Sequence, residues 1–528
     1  MFAQQLFSKE VDLDQGAAEV TSKSSGGRLP AIRIAGLTAA ALLIHGYHFG
    51  VEDGEIYVPA ARKLLHPNLY PYAAEFFLSH GRLSIFGSLL AWTARLTHMS
   101  MDWTLFAWYI VSLFATLASC WLFVTACFTS PRAHWTAMLV VTAVLTMPAT
   151  NTGLLLIDPY LTARSFSTPL TLFALASALD RRFARVAAAM LVTALIHPQM
   201  VVYLVFLIGM MWVANRRKQA VAEPVEVMAS GISVLPSEFH FAHATGPYRE
   251  ALYSRDYFFL YNWTWYHWLG MLAPLAILAW FWRGNLRGTR RGFELISFAL
   301  IPFGLLSIAA ATVLCATPDF EMFVRLQPLR SFHLITFIFV LLFAGVAGEY
   351  LAKSRKWVPV ALFVPLAAGM FLVARQTYPN SIQIELPAKT SSNPWVNTLL
   401  WIRHNTPEDA VFAVDSHYFK ESPSDVHGFR AISARSALAD YYKDSGVVSL
   451  FPALAEEWKQ MSDATYGLNH FSVAQFRSLQ QEFPEVTWTV IHGLAPAGMN
   501  CPYQERGYSV CRMPLPGDAY LNLENLRN

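Results

Sequence analysis

Long apolar segments alternate with short polar ones over the first three-quarters of the chain. A helix needs roughly 20 predominantly apolar residues to cross a bilayer, and about eleven segments approach that length. They lie near residues 31–48, 82–97, 103–128, 133–149, 154–179, 183–196, 199–214, 264–282, 294–315, 332–349 and 357–375. The pattern therefore predicts a polytopic α-helical membrane protein with about eleven spans, whose transmembrane domain covers residues 30–378.

The pattern changes after about residue 380, where helix-like and strand-like segments alternate. The stretch 393–416 reads as an amphipathic helix, a Thr-Pro break and a short buried strand, and 472–483 has helical spacing. The stretches 486–492 and 507–513 are typical of strands. Roughly 150 residues are enough for a small core. Residues 380–528 are therefore predicted to form a small C-terminal α/β domain.

Composition supports a membrane location and excludes some functions. The 528 residues are 54% hydrophobic and only 14% charged, whereas soluble domains carry about 25% charged residues. A net charge of +3 without a basic stripe gives no support for nucleic acid as a partner. Residues 1–29 are polar and lack the apolar core of a cleaved signal peptide. They are predicted to form a disordered cytoplasmic tail.

Basic loops predict the orientation in the membrane. The segments 283–292 and 353–356 are rich in arginine and lysine and should be cytoplasmic by the positive-inside rule. An odd number of crossings then places the C-terminal domain outside, with the first outside loop at 49–81. The basic segment 180–185 conflicts with simple alternation of the spans, which puts it outside. We expect a multi-pass protein of the plasma (inner) membrane of a bacterium, with membrane lipids as its surroundings.

The five cysteines divide between the two regions. Cys120, Cys127 and Cys315 lie in apolar segments, where cysteine is usually a small packing residue. Cys501 and Cys511 flank a short polar turn of the C-terminal domain. An oxidising compartment would let them pair, so a disulfide is predicted. A zinc site is not expected, because no second cysteine pair has ligand spacing.

Three acids, Glu52, Asp53 and Glu55, follow the first apolar segment directly. One interpretation is helix capping, since acidic residues favour helix N-termini. Another is chemistry: carboxylates at the membrane interface can act as a general base or bind a divalent metal. The same loop carries Glu75 and, at its end, Arg82, whose guanidinium could meet a phosphate.

The arrangement of an acid directly after the first span resembles that of the GT-C superfamily. Its members are integral-membrane glycosyltransferases, which use polyprenyl-phosphate sugars. In that superfamily an outside loop carries an acidic motif, often Asp-Glu, followed by a helix along the membrane. Asp53 stands where the acid is expected, with Tyr57 on the helix after it. Gly54 departs from the motif, so the resemblance implies either Asp53 or Glu52 as the catalytic base.

The resemblance also implies a second acidic site on a later outside loop. The stretch 154–169 offers Asp158 and Arg164, which could equally form a structural pair at the start of a helix. Arg325 and Arg330 lie between two later spans and could clamp a phosphate, or be ordinary interfacial arginines. The aromatic stretch 247–270 is an interface helix or a wall for a lipid-linked donor.

These observations predict a GT-C-like membrane glycosyltransferase, which moves a hexose or pentose from a polyprenyl-phosphate donor to an acceptor on the outer face. The alternative is a non-catalytic membrane protein, either a transporter or an assembly scaffold with an extracytoplasmic domain. The two differ in where charges should lie. Charges along a path through the membrane favour transport, and charges gathered under the outside domain favour transfer.

Overall fold

The computed structural model describes residues 28–219, 244, 246–316, 318–353, 355–387, 390–421 and 427–514. Most of the predicted N-terminal tail, residues 1–27, lies outside these ranges. The helices of the membrane region are α1 Arg28–His45, α2 Gly54–Leu65, α3 Glu75–Gly81, α4 Phe86–Thr97, α5 Met101–Cys127, α6 Pro131–Ala143, α7 Arg164–Leu179, α8 Phe183–Ile196, α9 Pro198–Gln219, α10 Gly246–Tyr253, α11 Trp265–Arg283, α12 Arg291–Ala316, α13 Ser331–Leu351 and α14 Val358–Thr377. Short 3-10 turns connect some of them, at Asp256–Phe258, Leu260–Asn262, Pro318–Leu326 and Pro328–Arg330.

Each apolar segment predicted from the sequence contains a helix, and the protein is a mostly helical membrane protein. Within the described ranges, five helical segments are long and apolar enough to cross a membrane by themselves: Met101–Cys127, Pro198–Arg216, Arg291–Ala316, Asp319–Leu351 and Val358–Thr377. Pro30–His45 and Phe183–Ile196 are shorter apolar helices. The total of about eleven spans remains a prediction.

The helix in the predicted span 82–97 does not run along the bundle. Gly87 near the start of α4 lies against Ala61 of α2. Near its end, Arg95 Nη2 donates to the carbonyl oxygen of Leu64 over 2.6 Å. Because both ends of α4 lie beside α2, the structure corrects the expectation that this segment crosses the membrane.

Loops that carry the basic residues meet at one end of the bundle, called the basic end below. The backbone N–H of Thr129 donates to Gly288 O over 2.9 Å, and Arg132 Nη1 donates to Lys353 O over the same distance. The loops after α5, α11 and α13 therefore lie together. A shared basic end is the arrangement that the positive-inside rule describes.

The segment 180–185 lies at this same end. Leu179 at the end of α7 packs against Gly292 at the start of α12. Because α4 is apolar without being a span, alternation of the helices before 180–185 now agrees with this position. A second departure from simple alternation, between 180–185 and 283–292, is still needed to keep both basic segments at the same end.

The C-terminal domain rests on the opposite end of the bundle, and this boundary is called the junction below. The backbone N–H of Tyr47 donates to Gln383 O over 3.0 Å, and Val51 forms a β-bridge with His427. Arg62 of α2 donates from Nη1 to Ala431 O over 2.6 Å. The first predicted outside loop is thus bound to the domain along its length.

The C-terminal domain is a mixed sheet flanked by helices. Its helices are α15 Pro394–Asn405, α16 Tyr418–Glu421, α17 Phe429–Ser433, α18 Lys443–Leu450, α19 Ala455–Ala464 and α20 Val473–Glu482, with 3-10 turns at Pro452–Leu454 and Leu468–His470. Its strands are β1 Val411–Ala413, β2 Ser436–Ala437, β3 Trp488–His492, β4 Tyr503–Glu505 and β5 Tyr508–Arg512. The sheet order is β2-β1-β3-β5-β4, with parallel pairs on one side of β3 and antiparallel pairs on the other.

Apolar residues of the strands and of the helix faces form the core of this domain. Strand β1 is buried along its whole length, as expected for the centre of a sheet covered on both faces. Trp458 of α19 is fully buried, and its indole N–H donates to Asp440 O over 3.0 Å. Cys501 and Cys511 are joined by a disulfide bond that closes the chain before β4 onto β5.

Candidate functional site

The acidic loop between α1 and α2 is held rigidly at the junction. Gly50 has φ +72°, a conformation that only glycine adopts without strain, and a Cβ there would lie 2.9 Å from Ile432 Cγ1. The carbonyl oxygen of Gly50 accepts a hydrogen bond from the backbone N–H of Gly428 over 2.8 Å. Close packing against the C-terminal domain therefore fixes the backbone just before Glu52 and Asp53.

Asp53 occupies the position before the first residue of α2, yet its side chain makes no capping hydrogen bond. Its carboxylate instead faces two cations. Arg164 Nη2 donates to Asp53 Oδ2 over 3.2 Å, and Lys443 Nζ lies 3.7 Å from Asp53 Oδ1. Arg164 comes from the start of α7 and Lys443 from the start of α18. The capping interpretation does not explain where this side chain points.

Asp158 joins the same group through Arg164. Arg164 Nη2 also donates to Asp158 Oδ2 over 2.8 Å, and Thr162 Oγ1 donates to the same oxygen over 3.2 Å. The Asp158–Arg164 pair expected at a helix start is present, and Asp53 shares its arginine. The loop that carries Asp158 lies at the junction, on the same side of the bundle as Asp53.

Glu52 lies beside Asp53 and forms an ion pair with Lys443. The backbone of Glu52 has φ 49°, a conformation uncommon for residues other than glycine. Burial alone would lower the pKa of Lys443, but Glu52 and Asp53 outweigh that effect and raise it. Lys443 is therefore a stable cation that bridges both acids of the loop.

The charge state of Asp53 follows from its neighbours. Partial removal from water would by itself raise the pKa of Asp53, but Lys443, Arg164 and Arg330 together hold it well below its ordinary value. The side chain of Asp53 remains 36% exposed. Asp53 is thus ionised at physiological pH, and solvent or a substrate can reach its carboxylate.

Arg330 approaches the same group from the turn before α13. Its Nη2 donates to the Tyr257 hydroxyl oxygen over 3.1 Å, and its guanidinium lies 5.5 Å from the centre of the Tyr257 ring. No carboxylate among the described residues lies within ion-pair distance of Arg330. Arg255, two residues before Tyr257, donates to Ser445 Oγ over 3.2 Å and to the Tyr442 carbonyl oxygen.

Tyr57 and His80 complete the group, called the junction cluster below. Their rings meet edge to face with 5.3 Å between centroids. Burial lowers the pKa of His80, so the imidazole is neutral at physiological pH. The cluster consists of side chains on six separate segments: Glu52, Asp53, Tyr57, His80, Asp158, Arg164, Arg255, Tyr257, Arg330 and Lys443.

Several buried nitrogens of the cluster have no hydrogen-bond partner among the described residues. They are Nε of Arg164, Arg255 and Arg330, and Nδ1 of His80. Buried polar groups in native proteins are nearly always hydrogen-bonded, and exceptions often mark a place where an ion, water or ligand binds. Guanidinium N–H groups can only donate. The arrangement is therefore suited to bind an anion.

Other residues predicted for the site lie elsewhere. Arg82 pairs with Glu75 through two hydrogen bonds of 3.0 Å on an exposed surface, with side chains 65% and 48% exposed. Arg325 interacts with Tyr248 of α10. Glu55 points away from the cluster and accepts backbone hydrogen bonds from the C-terminal domain. These residues lie apart from the group around Asp53, and the substrate-binding roles expected for them stay predictions.

The sequence left open that the acidic loop binds a divalent metal, and the described ranges bear on that expectation. No group of three or more His, Cys, Asp and Glu side chains is arranged there to hold a metal ion. The acids of the cluster are each engaged by a cation. The residues present fit an anion better than a metal, and we assign no step to a metal.

Sequence reasoning missed Lys443, Tyr257 and the role of His80. Lys443 stands among acids in the C-terminal domain with nothing to mark it. Arg255 and Tyr257 belong to the aromatic stretch 247–270, which the sequence did show as unusual without showing which side chains face Asp53.

No family model matches this chain, and no curated protein sequence matches it.

Proposed function

We propose that the protein is a membrane glycosyltransferase of the GT-C type, which transfers a sugar from a polyprenyl-phosphate donor to a hydroxyl acceptor at the outer face of a bacterial plasma membrane. One observation carries the proposal. An ionised carboxylate, Asp53, lies beside buried guanidinium groups that have unused N–H donors. Sugar transfer from a phosphate needs a base near the attacking hydroxyl and positive charge on the leaving oxygen.

Asp53 acts as the base that accepts the proton of the acceptor hydroxyl. Lys443 and Arg164 lower the pKa of Asp53, and this makes Asp53 a weak base as long as both cations pair with it. A donor phosphate that engages Lys443 competes with Asp53 for its charge, so the basicity of Asp53 rises when donor is bound. The carboxylate becomes a better proton acceptor only in the complex that needs it.

The cations of the cluster stabilise the departing phosphate. Arg330 has no carboxylate partner among the described residues and so keeps its full charge for a ligand. Guanidinium groups match phosphate oxygens in geometry and bind them through paired N–H donors. Arg164 holds Asp158 and Asp53 together, and we assign it to positioning the base.

The place of these charges supports transfer over transport. Asp53, Lys443 and Arg330 come from different regions of the chain and meet at the junction, under the C-terminal domain. A transporter would require charges along a route between the junction and the basic end. The acceptor would approach between the domain and the bundle, and the lipid tail of the donor would remain in the membrane.

The test uses the purified full-length chain in lipid nanodiscs with short-chain polyprenyl-phosphate sugars. Release of free polyprenyl phosphate reports the reaction for any acceptor. We expect Asp53→Asn to lower kcat by about 100- to 10,000-fold, the usual loss for a general base. The same change removes a carboxylate from Lys443 and Arg164, so the donor KM should not rise.

Glu52→Gln is the matched control, since Glu52 contacts the same Lys443. Normal turnover in Asp53→Asn together with an inactive Glu52→Gln variant would move the base to Glu52. Normal turnover in both variants and in the double variant would overturn the catalytic role of this loop. A wild-type protein that neither binds nor cleaves any polyprenyl-phosphate sugar would favour the transporter or scaffold alternative.

A further inference from the structure

Tyr257 is held in the junction cluster by Gly153 and Arg330. Its ring lies against Gly153, which has φ +68°, and a Cβ at Gly153 would fall 3.1 Å from the ring carbon Cε1. The guanidinium of Arg330 lies over the ring and donates to its hydroxyl oxygen over 3.1 Å. The aromatic ring therefore has little room to move, and its oxygen has a defined position.

The hydroxyl group of Tyr257 donates no hydrogen bond to the described part of the chain. A tyrosine hydroxyl accepts and donates, and its acceptor side is used by Arg330. The described residues provide no acceptor for its own proton. The adjacent Nε of Arg330 is buried and also lacks an acceptor. Two neighbouring donors without acceptors indicate a ligand that carries oxygen lone pairs.

The electrostatic setting strengthens Tyr257 as a donor. Burial alone would raise the pKa of Tyr257, but Arg330 and Arg255 outweigh burial and lower it. The neighbouring charge of Asp53 acts in the opposite direction and raises the pKa of Tyr257. A more acidic phenol forms a stronger hydrogen bond to an anionic oxygen.

We propose that Tyr257 and Arg330 together bind one phosphate oxygen of the lipid-linked donor, with the Tyr257 hydroxyl and an Arg330 N–H donating to it. This inference rests on the proposed function and deepens it, since it adds Tyr257, which no motif of the sequence marked, to the residues that bind the donor phosphate. Tyr257 contacts the phosphate and Asp53 contacts the acceptor, so the two side chains divide the reaction between them.

A dependence on pH follows from this arrangement. Deprotonation removes the donated hydrogen and places a negative oxygen beside the phosphate. Phosphate binding should therefore weaken as the pH rises through the pKa of Tyr257, which lies below that of an ordinary tyrosine. The charged groups that face the phenol are Arg330, Arg255 and Asp53.

The experiment measures the affinity of the full-length protein for a short-chain polyprenyl monophosphate, with Tyr257→Phe and Tyr266→Phe compared with wild type. Loss of one hydrogen bond to a charged group should weaken binding by about 10- to 100-fold in Tyr257→Phe. The affinity of wild type should fall as the pH rises through the pKa of Tyr257, and this fall, called the alkaline decline below, should be absent in Tyr257→Phe. Tyr266 is 54% exposed on α11, and Tyr266→Phe should bind as wild type does.

The outcomes separate this inference from the proposed function. Equal affinity and an equal alkaline decline in wild type and Tyr257→Phe would overturn the role of Tyr257 while leaving the glycosyltransferase proposal intact. No phosphate binding by folded wild-type protein would overturn both. Weaker binding in Tyr257→Phe with the alkaline decline unchanged would reduce Tyr257 to a packing residue and so overturn the inference.

Discussion

Glu55 of α2 and Arg430 of α17 form the centre of a buried charge network that joins the first loop to the C-terminal domain. Arg430 Nε lies 3.1 Å from Glu55 Oε1, and the backbone N–H groups of Arg430 and Ala431 donate to the two Glu55 oxygens over 3.0 Å each. Asp440 and Asp444 contact the same guanidinium. Three carboxylates share one cation away from water, which favours their protonation.

We expect the junction to become less stable as the pH rises from about 4.5 to about 7. Burial, opposed by Arg430 and aided by Asp440, raises the pKa of Glu55 to about 7. Burial and Asp444 raise that of Asp440 to about 7. A carboxyl whose pKa is higher in the folded state contributes stability at low pH and loses it as the pH rises to the folded value. Unfolding temperatures between these limits measure the effect.

Asp440→Asn should flatten this decline, because one titrating carboxyl is gone while its shape remains. Glu456→Gln is the control, since Glu456 is an exposed residue of α19 in the same domain. The same slope in Asp440→Asn, Glu456→Gln and wild type would show that the network does not couple protons to docking of the domain.

Asp102 links the bundle to the C-terminal domain through two arginines. Its Oδ1 lies 2.6 Å from Arg62 Nη2, and its Oδ2 lies 2.8 Å from Arg403 Nη1. Asp102→Asn leaves the buried Arg62 without its countercharge, which should cost about 3 kcal/mol of stability. Asp463→Asn breaks an exposed pair with Lys459 and should cost less than about 1 kcal/mol. Equal unfolding temperatures in the two variants would contradict this interpretation.

The two ends of the bundle predict which loops share a side of the membrane. In a Cys315→Ser background, cysteines at Asn285 and Arg182 should react with an impermeant thiol reagent from the cytoplasmic face. A cysteine at Tyr466, 64% exposed on the C-terminal domain, should react from the outer face. Labelling of Arg182→Cys from the same face as Tyr466→Cys would restore the conflict over 180–185 and require α4 to cross.

Residues inside and outside the junction cluster should differ in their effect on sugar transfer. Glu75→Gln breaks only an exposed pair, and transfer should stay within about twofold of wild type. Asp158→Asn removes the partner that orients Arg164, and transfer should fall at least about tenfold, as for a lost charged hydrogen bond. The transfer assay with matched expression checks both, and equal rates in the two variants would remove Asp158 from the site.

Hydrophobic pattern predicted the class of protein and the position of most helices. It also predicted the boundary near residue 380 and strands that match β1, β3 and β5. The pattern succeeds because apolar length and periodicity are local properties, set by the environment that each segment must enter. The pattern wrongly predicted a span at 82–97. The helix α4 in this segment packs beside α2 at the junction and is as apolar as a helix that crosses the membrane.

The sequence alone determined that an acid follows the first helix and that Cys501 and Cys511 lie close together along the chain. Only the tertiary structure decided which acid faces which cation. Asp53 meets Lys443 although about three-quarters of the chain separates them. Glu55, two positions later, turns to Arg430 because α2 presents its next face to the domain. Charge pairs depend on how distant segments dock and rotate, and no local pattern of residues records that.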